Sequence, residues 1–526
     1  MRDFQLPGRS PVHGLNGAVA TSHPLASATA LEILKRGGHA MDAAIAASAV
    51  LCVVEPGMTG VGGDNFTIVA TGSGQIRAYN GSGRAPSALD PEAIRAEHQT
   101  MPRYSPHSIT IPGAVEAWCR LHGEYGRLPL DALLAPAVAY AREGYVIHQR
   151  VAFDWQVQVE KLARDAHAAE VMLPNGRAPK ASDVHRQPAL ADTLERIGRE
   201  GRAGFYSGPV AEDMVKTLRA LGGTHTLDDF ATAEGEWVEP IRTRYRGHDL
   251  LECPPNGQGI VPLIMLNILA GYDLAALDPL GAKRIHLFLE AAKLAYGDRD
   301  ARVADPRMSG VPVDVLLGAD HAASHRGRID PMRAGPTPAL SMPASEDTIY
   351  LCVVDRDHNA VSFINSIFEN FGSGIMAPGS GVMFHNRGFS FRLDRDHPNV
   401  AAPGKRPLHT IIPAMLLHDE RAVMPFGVMG AHFQPFGQAW MLTNMLDYGM
   451  DIQEAQDTAR PFGYAGEVTL ERGIPAGTAE RLRDLGHKVT SAVTPHGGSQ
   501  GIFIDHQSGV FSAGSDPRKD GCAIAY

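Results

Sequence analysis

Thr348 stands where a proline-rich segment gives way to an apolar run, Ile349 to Val354, a setting that suits nucleophilic chemistry. A threonine hydroxyl is a poor nucleophile until a base sits beside it, and cutting the chain just ahead of it turns its own α-amine into that base. Such an amine titrates at about 7.7 to 8, well placed for a general base near neutral pH. Taken alone, Asp347-Thr348 before an apolar run is more often a plain loop end. Two other stretches could complete the chemistry. Asn80-Gly81-Ser82-Gly83-Arg84-Ala85-Pro86 presents one arginine on a glycine-rich loop, where it could grip a carboxylate through paired hydrogen bonds or stay an ordinary solvated arginine. Gly427-Val428-Met429-Gly430-Ala431 places glycines at 427 and 430 whose backbone N–H groups could face an oxyanion, with a plain turn as the alternative.

The elements that must position these groups are legible as patterns. Ile349 to Val354 reads as a strand buried on both faces; Asp355-Arg356-Asp357-His358-Asn359 supplies turn residues, and Ala360 to Phe363 a second strand, so Thr348 lies at the open end of a hairpin. Pro24 to Lys35 carries leucines and Ala28 at helical spacing, and Met41 to Val54 is apolar nearly all round, the mark of a buried helix. The loop Pro56 to Phe66 brings four glycines together without the Lys-Ser or Lys-Thr of a phosphate loop. Strands are expected at Gly17 to Ala20, Phe66 to Ala70 and Ile76 to Tyr79, and a helix-rich region from Gly113 to Ile197. After the turn Cys253 to Gly259 come helices at Val261 to Leu269 and Ile285 to Tyr296, where Glu290, Lys293, Asp298 and Arg299 read as surface or interhelix ion pairs. Residues 330 to 347 turn to Pro, Ala, Met and Ser, as expected of an exposed, extended segment without packing of its own.

The chain has 526 residues, 44% of them hydrophobic, enough for a large core in two intertwined parts. A net charge of -10 argues against nucleic-acid and anionic-membrane partners, which reward concentrated positive charge, and leaves small molecules. Neither a signal-like N-terminus nor a run of membrane-spanning length stands out, so a cytoplasmic location is expected. Five cysteines scattered without a CxxC pair indicate neither zinc nor a disulfide framework.

In this order, the stretches Gly60 to Phe66, Gly83 to Pro86, Ile111-Pro112-Gly113, Asp305-Pro306, the Thr348 hairpin, Lys405 to Leu408 and Ser515-Asp516-Pro517-Arg518 resemble the γ-glutamyltransferase family of N-terminal-nucleophile hydrolases, from about Gly17 to Tyr526. The resemblance implies an α+β fold of four layers, αββα, made as a proenzyme that cuts itself between Asp347 and Thr348. It thus implies a large subunit, 1–347, ending in a linker at about 330–347, and a small subunit, 348–526, the two remaining entwined. It implies Thr348 as nucleophile with its α-amine as base, Ser366 as the hydroxyl supporting it, and Gly430 and Ala431 as oxyanion donors. Arg84 matches the arginine that grips the substrate carboxylate, and Thr410 keeps one hydroxyl of a pair whose other member is replaced by His409. No metal or cofactor is implied; the expected partners are a small carboxylate-bearing amide, the two subunits of one precursor, and a homo-oligomer.

The departures narrow the substrate. Where members that bind a γ-glutamyl group hold its ammonium with an asparagine and an acid, this sequence has Phe368 and Ser390, and Arg387 stands where a neutral residue is usual; a cation there repels an ammonium. The resemblance is to the branch containing glutathione hydrolase-like proteins and oxamate amidohydrolases. It implies hydrolysis, or transfer, of the acyl group of a γ-glutamyl/glutathione-like amide or of oxamate, the latter in purine and allantoin nitrogen catabolism. A non-catalytic, uncleaved carboxylate binder is the alternative of another class, and an acylase for larger side chains would need an open apolar pocket.

Overall fold

The computed structural model describes residues 4, 5, 8–338 and 348–526; Asp347 and the later part of the expected linker lie outside them. Two seven-stranded antiparallel sheets form the centre. The first runs, edge to edge, Cys522–Ala525, Gly17–Thr21, Ile349–Asp355, Ala360–Ser366, Asp64–Ala70, Ile76–Gly81 and Glu236–Val238. The second runs Val12–Gly14, Val510–Ser515, Gly498–Asp505, Arg421–Met429, Ala414–His418, His248–Glu252 and Ile241–Tyr245. Each sheet takes strands from both sides of residue 347, so a cut there leaves two chains that share both sheets.

The unbroken apolar run after Thr348 follows from its position in the stack. Side chains alternate across a strand; Ile349, Leu351 and Val353 join the core under the first helical layer, while Tyr350, Cys352 and Val354 join the core between the sheets. Both faces are dry, so no polar alternation is left to see. The first helical layer holds Pro24–Lys35, at the predicted bounds, and Ala40–Val54, every residue of which is buried. The second sheet is covered by Ile260–Leu269, Ala282–Arg302 and Phe433–Leu446, which enclose a third core. Three cores between four layers make the expected αββα stack.

Three sequence expectations change. The helix predicted at 285–296 extends over Ala282–Arg302, and Arg299 on it is fully buried rather than on the surface. The segment after Asp330 is extended and partly exposed but not without contacts: Ala334 N–H donates to Leu485 O at 2.6 Å and Gly335 N–H to Glu290 at 3.0 Å. Gly427 lies inside the strand Arg421–Met429, where a Cβ would sit 2.5 Å from the Tyr350 ring; it keeps the sheets in contact and faces no oxyanion. Among the described residues no helix is long and apolar enough to cross a membrane.

Candidate active site

The hairpin register sets the first contact. Ile349 pairs with Asn365, which brings the start of one strand to the end of the other and places Thr348 Oγ1 3.0 Å from Ser366 Oγ, both side chains buried. Ser366 Oγ also accepts the Phe368 N–H at 2.9 Å. The glycine loop closes over this corner. A Cβ on Gly63 would stand 2.3 Å from the Ser366 carbonyl oxygen, so only glycine lets the loop come this close.

Two residues beyond Ser366, Phe368 lays its ring against the Arg387 guanidinium, 4.0 Å from ring centre to Cζ. Arg387 is 1% exposed; its Nη1 donates to Thr410 Oγ1 at 2.8 Å, and its buried Nη2 has no hydrogen-bond partner among the described residues. Burial pushes this guanidinium down to about 9, offset in part by Asp64 and Glu369; it remains a cation at neutral pH whose spare donors gain from meeting an anion.

His409, one residue away from Thr410, does something else. Its Nδ1 accepts the Ile411 N–H at 3.3 Å, so Nε2 carries the proton and donates to Asp64 Oδ2 at 3.0 Å. Asp64 Oδ1 in turn takes the N–H groups of Gly83 at 3.0 Å and Gly113 at 3.2 Å, which pins the Arg84 loop to the first sheet. Burial, reinforced by the Arg387 charge, pushes His409 down to about 3 against the pull of Asp64. Asp64 is held at about 2: burial pushes it up, but His385, His409 and Arg387 more than offset that. The signs differ in range but not in direction. An unfolded histidine binds a proton below about 6.5 that folded His409 refuses, so stability falls from about pH 6.5 towards 3; the share contributed by Asp64 is lost between about 4 and 2. His185, His225 and His496, each pushed down to about 4 by burial, act in the same sense. The melting temperature should therefore be nearly level above about pH 7 and fall from about pH 6.5 to 4.5, stability dropping by at most about 1.4 kcal/mol per pH unit for each such histidine, and His409→Gln should flatten the slope. A flat profile for the parent chain would refute the neutral, buried imidazoles.

The turn expected to supply the oxyanion N–H groups follows the strand Arg421–Met429 of the second sheet. Gly430 has φ +117° and Ala431 φ +43°, and neither N–H donates to a protein acceptor among the described residues. A Cβ on Gly430 would lie 3.0 Å from Gly497 Cα. Gly430→Ala must therefore displace the loop, and kcat should drop about 100-fold with little change in KM, the size expected for losing one oxyanion donor. The loop is tied to the carboxylate end of the site by Gln258, whose Nε2 donates to Thr410 O at 2.7 Å and Ala431 O at 2.9 Å. Arg299 holds Gln258 Oε1 at 2.8 Å and approaches His432 Nδ1 at 3.0 Å. Asp64, Gln258 and Arg299 were missed as site-forming residues. Gln258 lay in a turn read as scaffold, Arg299 in a helix read as carrying surface or interhelix ion pairs, and neither signal reveals which loops a side chain will bridge.

Arg84 bonds to other groups, and its Nη2, like that of Arg387, is buried without a hydrogen-bond partner among the described residues. Its Nη1 donates to Asp305 at 3.1 Å and to Gly404 O at 3.1 Å, and Nη2 lies 3.8 Å from Glu236; it lines a separate cavity with Arg307 and Glu116. Ser390 Oγ is bound to the carbonyl oxygens of Arg387 and Leu408, both at 2.7 Å, so it shapes the turn that carries Arg387. A cavity of about 340 Å³ reaches Gly430 and is lined by Phe153, Phe433, Phe462, Arg103, Lys161 and Glu369, among others.

A buried threonine at the open end of a hairpin, inside an αββα stack and next to an N–H-lined turn, defines an N-terminal-nucleophile hydrolase. The chain belongs to the γ-glutamyltranspeptidase family, whose family model matches residues 26–526. It is 36% identical over 523 residues to the glutathione hydrolase-like YwrD proenzyme of Bacillus subtilis, covering 98% of this chain and 99% of that one. It is 34% identical to the oxamate amidohydrolase proenzyme of Klebsiella pneumoniae, covering 97% and 98%. Among solved structures, cephalosporin acylase from Bacillus halodurans superimposes with a TM-score of 0.94 at 39% identity, covering 100% of this chain and 99% of that one. The protein is thus an enzyme of this family, a hydrolase or acyltransferase of the N-terminal-nucleophile class.

Proposed function

We propose that the chain is a self-processing amidohydrolase for a small amide whose acyl part carries a carboxylate and no ammonium, with oxamate the simplest example. The observation that carries this reading is Arg387: a buried cation with a spare donor, bound to Thr410 and covered by Phe368, whose own N–H reaches Ser366 Oγ. Phe368 covers the guanidinium where an ammonium ligand would have to stand. An ammonium brought there meets a cation and an aromatic face already in use, with no acid freed by Ser390. The family's arginine role, assigned from sequence order to Arg84, passes in this reading to Arg387.

In processing, Thr348 Oγ attacks the Asp347 carbonyl and the peptide nitrogen leaves, giving an ester that water hydrolyses; residues 1–347 and 348–526 then form the two subunits. Asp347 itself lies outside the described residues. In turnover, the freed α-amine takes the Thr348 hydroxyl proton as Oγ attacks the amide carbon. The Phe368 N–H occupies one lone pair of Ser366 Oγ, which leaves the Ser366 O–H to donate to Thr348 Oγ and free the threonine proton for the amine. Gly430 and Ala431 N–H groups take the oxyanion. The amine or ammonia departs with the proton, and water releases the acyl group by the reverse sequence.

The test is a comparison of kcat/KM for oxamate, glutathione and a γ-glutamyl anilide, with oxamate expected to lead by about 100-fold, the effect of roughly 3 kcal/mol of unfavourable charge and lost ligation. Equal turnover of glutathione would sink the reading. A second reading, an acylase for a bulkier amide, draws support from the aromatic-lined cavity reaching Gly430 and from the likeness to cephalosporin acylase. Turnover of a carboxyacyl β-lactam above that of oxamate would favour it.

A further inference from the structure

Away from the active site, two helices bring together a set of side chains that the chemistry above does not use. His321 and His325 lie one turn apart on the helix Ala319–Arg328, and each Nε2 is 2.7 Å from the same oxygen, Asp298 Oδ2, on the helix Ala282–Arg302. The imidazole rings are 4.2 Å apart, His325 is 5% exposed at its side chain, and His321 and Asp298 keep 22% and 18%, so the cluster is braced by protein but open to solvent on one side. Three ligand atoms therefore converge on one point from two elements.

We propose that Asp298, His321 and His325 form a binding site for a divalent transition-metal ion, zinc in first place, with a water as fourth ligand. The donor set favours this class: two imidazoles and a carboxylate suit Zn, Co and Ni, whereas Mg and Ca want oxygen alone. A tetrahedral ion with bonds of about 2.0 to 2.2 Å needs ligand atoms about 3.3 Å apart, so the present spacing must open by a few tenths of an ångström, within reach of small side-chain rotations. Each ring meets Asp298 through Nε2; on binding, Nε2 gives up its proton, to solvent or to Nδ1, and the Nε2 lone pair goes to the metal. At His325 the Nδ1 accepts a long 3.4 Å bond from the exposed Arg328, which turns away to solvent as Nδ1 becomes a donor. The ion would clamp the last helix before the segment leading to Thr348 onto the long helix that carries Arg299.

A second group, His286, Glu290 and His487, serves as the internal control. There the His286 Nδ1 is 2.8 Å from His487 Nε2, and Glu290 is held by the Lys293 ammonium at 2.7 Å and by Gly335 N–H, so a cation must first displace another.

The test titrates Co(II) into the full, chelator-treated protein, followed by its visible absorption, with Zn(II) as competitor. One equivalent should bind, and His321→Ala, His325→Gln and Asp298→Asn should each weaken binding by about 100-fold or more, since even outer-shell changes cost 10- to 100-fold. His487→Gln should bind as the parent does. Far-UV circular dichroism and the melting temperature establish that each variant is folded. No saturable binding by the parent, unchanged binding in folded His321→Ala and His325→Gln, or loss of binding in His487→Gln would overturn the proposal.

Discussion

Thr348→Ala is expected to remain a single chain under conditions in which the parent protein yields two fragments meeting at Asp347 and Thr348, and to lose amide hydrolysis by about 10⁴-fold or more. The argument is positional. Thr348 is 1% exposed and its hydroxyl is 3.0 Å from Ser366, so the substitution removes the hydroxyl together with one methyl and leaves the backbone of the hairpin untouched. Thr348→Ser keeps a hydroxyl at the same place and should still be processed, more slowly, because a serine side chain is less firmly held in one rotamer than a β-branched threonine. Intact mass, fresh and after incubation, reads both. An unprocessed parent chain would refute the nucleophile and bring forward the binding-protein reading; a processed Thr348→Ala would refute its place in the cut.

Arg387→Leu is expected to be processed normally and to lose kcat/KM for a carboxylate-bearing amide by about 10² to 10³, the cost of removing one partner from a buried charged hydrogen bond, about 3 to 4 kcal/mol. The loss should sit largely in KM, because the carboxylate is gripped in the ground state as well as the transition state. Arg387→Lys should recover only part of it. A lysine delivers a point charge without the second, parallel N–H, and it cannot rest flat against Phe368 as the guanidinium does at 4.0 Å. Arg84→Leu separates the two arginines: with its guanidinium on Asp305 and Gly404, it should change KM for the same substrate by much less. A larger effect at Arg84 than at Arg387 would return the carboxylate role to the position that sequence order suggests.

The contrast between these two arginines marks where reading from sequence stops working. Arg84 sits in a short loop of recognisable type, and its loop is where it was expected, but the direction of its side chain was decided by Asp305 and Glu236, far away in sequence. Arg387 reads from the sequence both as a departure from the family pattern and as a substrate-binding residue, and the fold sets it against Thr410 with a donor to spare. His409 was expected to stand in for a carboxylate-binding hydroxyl; buried beside Asp64, it braces the loops instead.

What the sequence determined by itself is local and periodic: the hairpin that carries Thr348, the buried helices, the glycines at 63 and 430, and through their order the family and its four-layer fold. These are legible because strand and helix periods, turn residues and glycine's freedom at positive φ are properties of neighbouring residues. Only the tertiary structure decided which partners each charged group meets. A buried cation goes wherever its desolvation is best offset, and its partners come from separate strands and loops, as Thr410 and the far more distant Asp64 do for Arg387 here.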